Sequence, residues 1–202
     1  EPRSIDWRIT ARTGQAHTKL FTEELERPTL LVVDQRPNMR FGSRRCFKSV
    51  LAAEIAGLLG WASLNNRDRV GGLLFNNTQH SDIRPSSSRK TLLGFLKTLA
   101  SYNQQLISQP TNFTREPTEK LDDAEHFLSI VTEIRRTARP GMAIYLITDF
   151  SGLDKDALGL LLQIRRHCDI TAIHCSDPME VELPRIPKGW FTNGEQRLRL
   201  EL

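Results

Sequence analysis

Two aspartates hold the strongest chemical signal in this sequence. Asp34 closes the apolar run Thr29-Leu30-Leu31-Val32-Val33, and Asp149 closes Ala143-Ile144-Tyr145-Leu146-Ile147-Thr148. Continuous apolar runs of this length are expected for strands buried on both faces of a parallel sheet. In such sheets the ligand edge lies at the carboxyl ends of the strands, so the two carboxylates are expected to converge there. With hydroxyl residues Thr148 and Ser151 alongside, the pair suits a hard cation, because Mg²⁺ takes carboxylate and hydroxyl oxygens and keeps waters. The plainer role for each aspartate is a helix cap or a strand-end turn.

Positive charge crowds the same region. Arg36, Arg40, Arg44, Arg45 and Lys48 fill the loop and helix start after Asp34. Cations at a helix start oppose its dipole, so an anionic partner is the natural reason for them. Arg40, Arg44 and Arg45 are expected to form an exposed patch that meets acidic groups on a partner protein. Arg135, Arg136, Arg139, Arg165 and Arg166 fall near helix ends, where the dipole favours cations, and read as solvated termini.

Other signatures fail on spacing or are missing. There is no G-x-G-x-x-G, no G-x-x-x-x-G-K-[ST] and no G-x-S-x-G, so dinucleotide-binding, P-loop and hydrolase readings lose their main support. His167-Cys168 and His174-Cys175 flank a strand-like run. At ~3.3 Å per residue the two pairs lie ~20 Å apart and cannot share a zinc ion. Asn76-Asn77-Thr78 and Asn112-Phe113-Thr114 match the glycosylation pattern, and in a cysteine-poor sequence for which no secretion signal is expected they read as chance matches.

The elements that must position the aspartates alternate. Strands are expected at 29–33, 69–75, 143–148 and 170–173, and helices at about 44–64, 89–107, 121–134 and 154–166. That order implies an α/β fold: a doubly wound, mostly parallel sheet with helices on both faces. Ile5 to Arg12 and Lys19 to Leu25 read as extended segments around a Gly14 turn, and Phe191 to Leu202 as a hairpin turning at Asn193-Gly194. Short β-hairpin extensions are thus expected at both ends. The expected division is an amino-terminal extended segment over 1–28, the α/β domain over 29–177, and an irregular segment with a hairpin over 178–202.

The 202 residues suffice for one mid-sized domain. An apolar share of 39% with 26% charged residues excludes a disordered or collagen-like chain. Three cysteines form no complete disulfide framework and fit a reducing compartment. No apolar stretch reaches the ~18 to 20 residues of a spanning helix. A cytoplasmic location is expected, free or as the cytoplasmic part of a membrane-anchored protein whose anchor lies outside this segment.

Ile5-Asp6-Trp7-Arg8-Ile9-Thr10-Ala11-Arg12 resembles the I-D-W-x-x-[ST]-A-R signature of the bacterial "domain of unknown function fifty-eight" family. Glu26-Arg27, Met39-Arg40-Phe41-Gly42, Asp68-Arg69-Val70-Gly71 and Ile147-Thr148-Asp149-Phe150 agree with that family in order. The resemblance implies a von Willebrand factor A-like fold with a metal-ion-dependent adhesion site, D-x-S-x-S plus a later Thr and Asp. It also implies accessory work, in assembly or as a chaperone, beside AAA+ ATPases of the MoxR type. Asp34 and Asp149 match the aspartates, and Thr118 is preferred to Thr114 for the threonine. The serine positions hold Arg36 and Asn38: Asn38 can offer an amide oxygen, whereas Arg36 repels a cation. The adhesion site is therefore degenerate at Asp34, Asn38, Thr118 and Asp149, and Mg²⁺ is not required. A guanidinium can pair two carboxylates, so that of Arg36, or that of Arg40, is expected to neutralise the pair as a tethered substitute for the metal. Asp6, Trp7 and Arg12 are expected to be structural, with Trp7 buried.

Three functions follow in order of support. The first is a non-enzymatic protein-interaction module, accessory to a MoxR-type AAA+ ATPase. The second is a metal-dependent hydrolase or phosphatase using the strand-end aspartates, which Arg36 opposes. The third is a weak nucleic-acid binder, permitted by a pI near 9.2 but opposed by a net charge of only +4 over 202 residues and by the lack of aromatics interleaved with the basic cluster.

Overall fold

The computed structural model describes residues 7–15, 17, 26–108, 123–182, 188–192 and 197–201. Its centre is a five-stranded sheet of β1 (Pro28–Asp34), β2 (Arg69–Phe75), β3 (His80–Ser86), β4 (Ala143–Thr148) and β5 (Asp169–His174) in the order β3-β2-β1-β4-β5. All pairs are parallel except β2–β3. This is the doubly wound, mostly parallel α/β architecture expected from the sequence.

Alternation along β1 builds two cores. Leu30 and Val32 face one side, with Phe127, Ile130, Val131 and Ile134 of α4 (Asp123–Thr137) and Ala157 and Ile164 of α5 (Lys155–Arg165). Leu31 and Val33 face the other, with Ala52 and Ala56 of α2 (Lys48–Asn65) and Leu92, Phe95 and Leu99 of α3 (Arg89–Ser108). Strands buried on both faces must be apolar at every position, which is why β1 and β4 show no alternation in sequence.

The end of the sheet opposite the aspartates is held by Arg27. Its backbone N–H donates to Asp68 at 3.1 Å, its Nε to the Gly141 carbonyl at 3.1 Å, and its guanidinium pairs with the Asp169 carboxylate. One residue thus registers the starts of four strands. Gly71 lies where a side chain would meet the Ile83 carbonyl at 2.5 Å, so the motif Asp68-Arg69-Val70-Gly71 serves strand packing.

Two elements differ from expectation. The amino-terminal stretch read as extended is in part a helix, α1 (Trp7–Thr13). Ile9 and Thr10 suggested a strand by their β-branching, but no breaker interrupts the segment before Gly14. Gly14, at φ 69°, donates its N–H to the Thr10 carbonyl at 2.9 Å. It therefore ends a helix in the left-handed conformation and does not turn a hairpin. Asp6 and Lys19–Leu25 lie outside the described residues. Second, β3 carries no strand signal in the sequence, because it is polar and contains Pro85. As an antiparallel edge strand it tolerates both features. Asn76 opens the β2–β3 turn, its side-chain oxygen accepting from the Thr78 and Gln79 amides at 2.9 Å. The segment 178–202 begins with a short helix, α6 (Pro178–Val181), and includes the expected hairpin of β6 (Lys188–Thr192) and β7 (Arg197–Glu201). Its turn, Asn193-Gly194, lies outside the described residues.

A β-carbon at Gly72 would lie 2.1 Å from Cε2 of the Phe95 ring. Gly72→Ala is therefore expected to destabilise by about 1–3 kcal/mol, the usual cost of overpacking. At Gly94, exposed in mid-α3, an added β-carbon meets nothing within 4 Å. Gly94→Ala should stabilise by about 0.5–1 kcal/mol through helix propensity. Urea midpoints of the two variants should move in opposite directions.

Candidate functional site

β1 and β4 are parallel neighbours with Val33 opposite Ile147, so their carboxyl ends share one edge. Asp34 is fully buried there. Pairing with β2 continues one residue further, Gln35 N–H donating to the Phe75 carbonyl at 2.8 Å. The chain then enters a single 3-10 turn, Pro37–Met39, which leaves Arg36 turned back over the strand end. Its backbone N–H donates to Asp34 Oδ1 at 2.9 Å. Its Nε lies 3.1 Å from both Asp34 oxygens, and its Nη2 donates to Asp34 Oδ2 at 2.8 Å. The same Nη2 donates to the Ser151 carbonyl at 3.0 Å and lies 3.7 Å from Asp149 Oδ1. Thr148 Oγ1 completes the shell, donating to Asp34 Oδ2 at 2.6 Å.

The guanidinium lies between two aromatic faces, its carbon 5.7 Å from the Phe75 ring centre and 5.4 Å from that of Phe127. Aromatic faces attract a desolvated cation, and here they help close it from water, since Arg36 is only 1% exposed. Burial alone would lower its pKa. The hydrogen bonds to Asp34 and the charges of Asp34, Asp149 and Asp123 outweigh burial and raise it.

A second cation takes the other carboxylate. Lys48, the first residue of α2, is 4% exposed. Its Nζ donates to Asp149 Oδ2 at 3.1 Å and to Glu180 Oε1 at 2.6 Å. Burial opposes its charge, but these two carboxylates overcome that and raise its pKa. Burial likewise acts against ionisation of Asp149. The Ser151 N–H, donating to Oδ1 at 3.0 Å, together with Lys48 and Arg36, holds its pKa below the usual value. Phe150 adopts a positive φ of 59°, uncommon for an aromatic residue. Its N–H donates to Thr148 Oγ1 at 3.2 Å, turning Asp149 and Ser151 toward the cations.

The site also reaches α6. Asp177 accepts from Ser43 N–H at 2.8 Å and Oγ at 2.5 Å. Glu180 Oε2 accepts from the Asp177 N–H at 2.9 Å, completing a capping box.

Of the residues singled out from sequence, Asp34, Arg36 and Asp149 come together. Asn38 is exposed and lies 3.5 Å from Asp123 instead. Thr118 is outside the described residues. Arg40 is half-buried, while Arg44 and Arg45 are exposed. Arg45 pairs with Glu54 at 2.7 Å, so part of the expected patch is neutralised internally. Arg12 is exposed on α1. Thr148 was expected beside the aspartates, and Lys48 was expected only as a member of the basic cluster; Phe75, Phe127 and Glu180 carried no site expectation. For Lys48 a signal existed in its unfavourable place at a helix start. For Glu180 it was the spacing Asp177-Pro178-Met179-Glu180, a capping-box pattern.

The residues present do not fit the divalent cation that the resemblance implies. Both Asp34 oxygens face Arg36, and both Asp149 oxygens are engaged by Ser151 and Lys48. Two buried positive charges would repel a third. Among the described residues no group of three or more His, Cys, Asp or Glu side chains is placed to hold a metal. The zinc reading of the His-Cys pairs fails as expected: Cys168 and Cys175 lie at opposite ends of β5. Burial, then the charges of Asp34 and Asp149, push the Cys175 thiol up to about 11.

Residues 1–202 match the family described as "Protein of unknown function DUF58", and the chain belongs to that family. Over 184 residues it is 28% identical to the uncharacterized protein Rv1480 of Mycobacterium tuberculosis (strain ATCC 25618 / H37Rv), covering 91% of this chain and 53% of that protein. The chain spans about half the length of the curated relatives it matches. Among solved structures it is similar to the conserved hypothetical protein BatB from Bacteroides thetaiotaomicron, with 14% identity and a TM-score of 0.45, covering 73% of this chain and 66% of that one. It is also similar to proximal thread matrix protein 1 from the mussel byssus, with 8% identity and a TM-score of 0.46, covering 74% and 37%. Among the described residues no helix is long and apolar enough to cross a membrane.

Removing one member of a buried ion pair leaves the other uncompensated. Arg36→Met is expected to destabilise by about 3–5 kcal/mol, and adding Asp34→Asn should recover part of that loss. Because the folded pKa of Asp149 is depressed, its contribution is complete above the unfolded value near 4 and is lost as pH falls through the folded value. Lys48→Met should flatten this acid-side loss. Urea midpoints between pH 7 and pH 2 measure both effects.

Proposed function

We propose that this chain is a non-enzymatic protein-interaction module whose site edge is organised by tethered side-chain cations in place of a divalent ion. We further propose that it works as an accessory to a MoxR-type AAA+ ATPase, in assembly or chaperone-like work on the cytoplasmic side. The observation that carries the first statement is the buried Arg36 guanidinium, bonded to Asp34 and 3.7 Å from Asp149. A hydrolase built on these aspartates needs a carboxylate free to bind metal or take a proton. Here each is held as an acceptor by internal donors, and the raised pKa values of Arg36 and Lys48 keep those donors charged. The Cys175 thiol, held protonated, is no nucleophile at neutral pH.

The rim around this edge supports docking. Phe41 and Arg44 are exposed on the loop between Asp34 and α2, joined to the α6 segment through Ser43 and Asp177. An exposed aromatic beside a cation fits a partner surface bearing apolar and acidic groups.

Calorimetry with Mg²⁺ or Mn²⁺ is expected to give no micromolar isotherm for the unmodified protein. Arg36→Ser, which frees the Asp34 oxygens, should gain affinity. Capture of a purified MoxR-type ATPase should survive chelation and weaken on Arg44→Glu with Arg45→Glu. Raised salt should reproduce that loss. A clear micromolar isotherm with Arg36 in place would overturn the tethered-cation reading. Capture unaffected by both charge reversal and salt would remove the arginines from the interface.

A further inference from the structure

The charges at this edge form a chain that runs outward: Asp34, Arg36, Asp149, Lys48, Glu180. The first four are buried, and Glu180 is 37% exposed on its side chain. Glu180 is therefore the member through which the site meets solvent. Its two oxygens do separate jobs. Oε2 accepts from the Asp177 N–H at 2.9 Å, and Oε1 accepts from Lys48 Nζ at 2.6 Å.

We propose that Glu180 is a self-ligand: its carboxylate occupies, in cis, a subsite on Lys48 that takes a carboxylate from the partner protein. This rests on the interaction-module reading above. Three observations carry it. First, the short contact shows what chemistry the outward side of Lys48 accepts. Second, α6 is four residues long and buries none of them, with Val181 82% exposed. Of its apolar side chains only Met179 is half-buried, and polar contacts tie it to the loop before α2 and to the start of α2, Ser43 to Asp177 and Lys48 to Glu180. Elements held this way open at low free energy. Third, when Glu180 leaves, the ammonium of Lys48 faces outward with Arg44 nearby, whose charge already acts on Asp177. Lys48 and Arg44 then offer two cationic donors to an acidic segment. Asp149 stays paired through Arg36 and the Ser151 N–H, so the inner site survives the exchange.

An occupied subsite weakens an external ligand by the fraction of time it is free. The probe is an acetylated, amidated tri-glutamate peptide, with tri-glutamine as control, at fixed ionic strength. Glu180→Gln keeps an acceptor for the Asp177 N–H and loses the charge that holds Lys48. It should bind tri-glutamate ~10-fold or more tighter than the unmodified chain, and Lys48→Met in that background should abolish the gain. In the unmodified chain, saturating tri-glutamate should speed hydrogen exchange of the Asp177 amide, which Glu180 caps. This second readout decides the matter where Lys48→Met does not fold. Equal binding by Glu180→Gln and the unmodified chain, or an unchanged Asp177 exchange rate, overturns the self-ligand. If Glu180→Gln gains tri-glutamate affinity while a MoxR-type ATPase binds neither form, the self-ligand stands and the choice of partner falls. If the ATPase binds both forms alike and tri-glutamate does not distinguish them, the module stands and the self-ligand falls.

Discussion

Two carboxylates at the buried ends of neighbouring strands cannot both stay ionised without positive charge between them. Everything at the carboxyl edge of β1 and β4 answers that constraint. The parallel pairing of β1 and β4 brings Asp34 and Asp149 to one edge, and burial there removes the water that would otherwise screen them. The 3-10 turn at Pro37–Met39 returns Arg36 to Asp34, and the start of α2 delivers Lys48 to Asp149. The left-handed Phe150 aims Asp149 toward both. Two single charges on flexible stems thus meet a demand that one doubly charged ion could also meet. They differ in one consequential way: they are covalently part of the chain and cannot be removed by a chelator.

Much of this was legible in the sequence. Apolar runs ending in aspartate located β1 and β4, and the doubly wound order then dictated that their ends share an edge. Arg36 two residues after Asp34 was close enough for its guanidinium to fold back, and its type excluded a cation ligand. The structure adds the aromatic pair around it. Phe75 and Phe127 come from β2 and α4, far apart in sequence, and read there as ordinary core residues. Lys48 was visible only as one of five cations in a crowded loop. Its selection depends on which residue opens α2, and helix starts are the least certain feature of a periodic pattern. The α1 and β3 discrepancies have one cause between them: in a short segment tertiary context outweighs local propensity. Gly14 serves a helix end as readily as a hairpin, and an edge strand needs little apolar alternation.

The motifs that carry the family resemblance divide by position. Glu26-Arg27 and Asp68-Arg69-Val70-Gly71 lie at the amino ends of the strands, where Arg27 ties β1 to the starts of β2, β4 and β5. These contacts are exposed and contribute little energy singly, but they fix strand register. Met39-Arg40-Phe41-Gly42 and Thr148-Asp149-Phe150 lie at the opposite end, where the ion network sits. Met39 is fully buried in the core on the α2 and α3 side. The loop that carries the basic residues is therefore anchored below by an apolar side chain and above by a buried salt bridge.

That double anchoring bears on why the network is there at all. A buried ion pair often stabilises a protein no more than apolar residues of the same volume would, so stability alone does not account for five charged groups at one strand edge. Geometry does. An apolar core tolerates small slips among similar side chains, whereas a guanidinium bonded at once to a carboxylate and a carbonyl admits essentially one arrangement. Arg36 bonds Asp34 and the Ser151 carbonyl at 2.8 and 3.0 Å, and so fixes the loop after β1 relative to the loop after β4. Lys48 fixes α2 relative to β4 and passes the same constraint to α6 through Glu180. The network converts a common sheet edge into a surface of fixed shape. Its outermost member is also its weakest anchored, because Glu180 alone among the five retains substantial contact with water. Rigidity inside and exchangeability outside follow from one gradient of burial, and that gradient is set by the distance of each group from the ends of the strands.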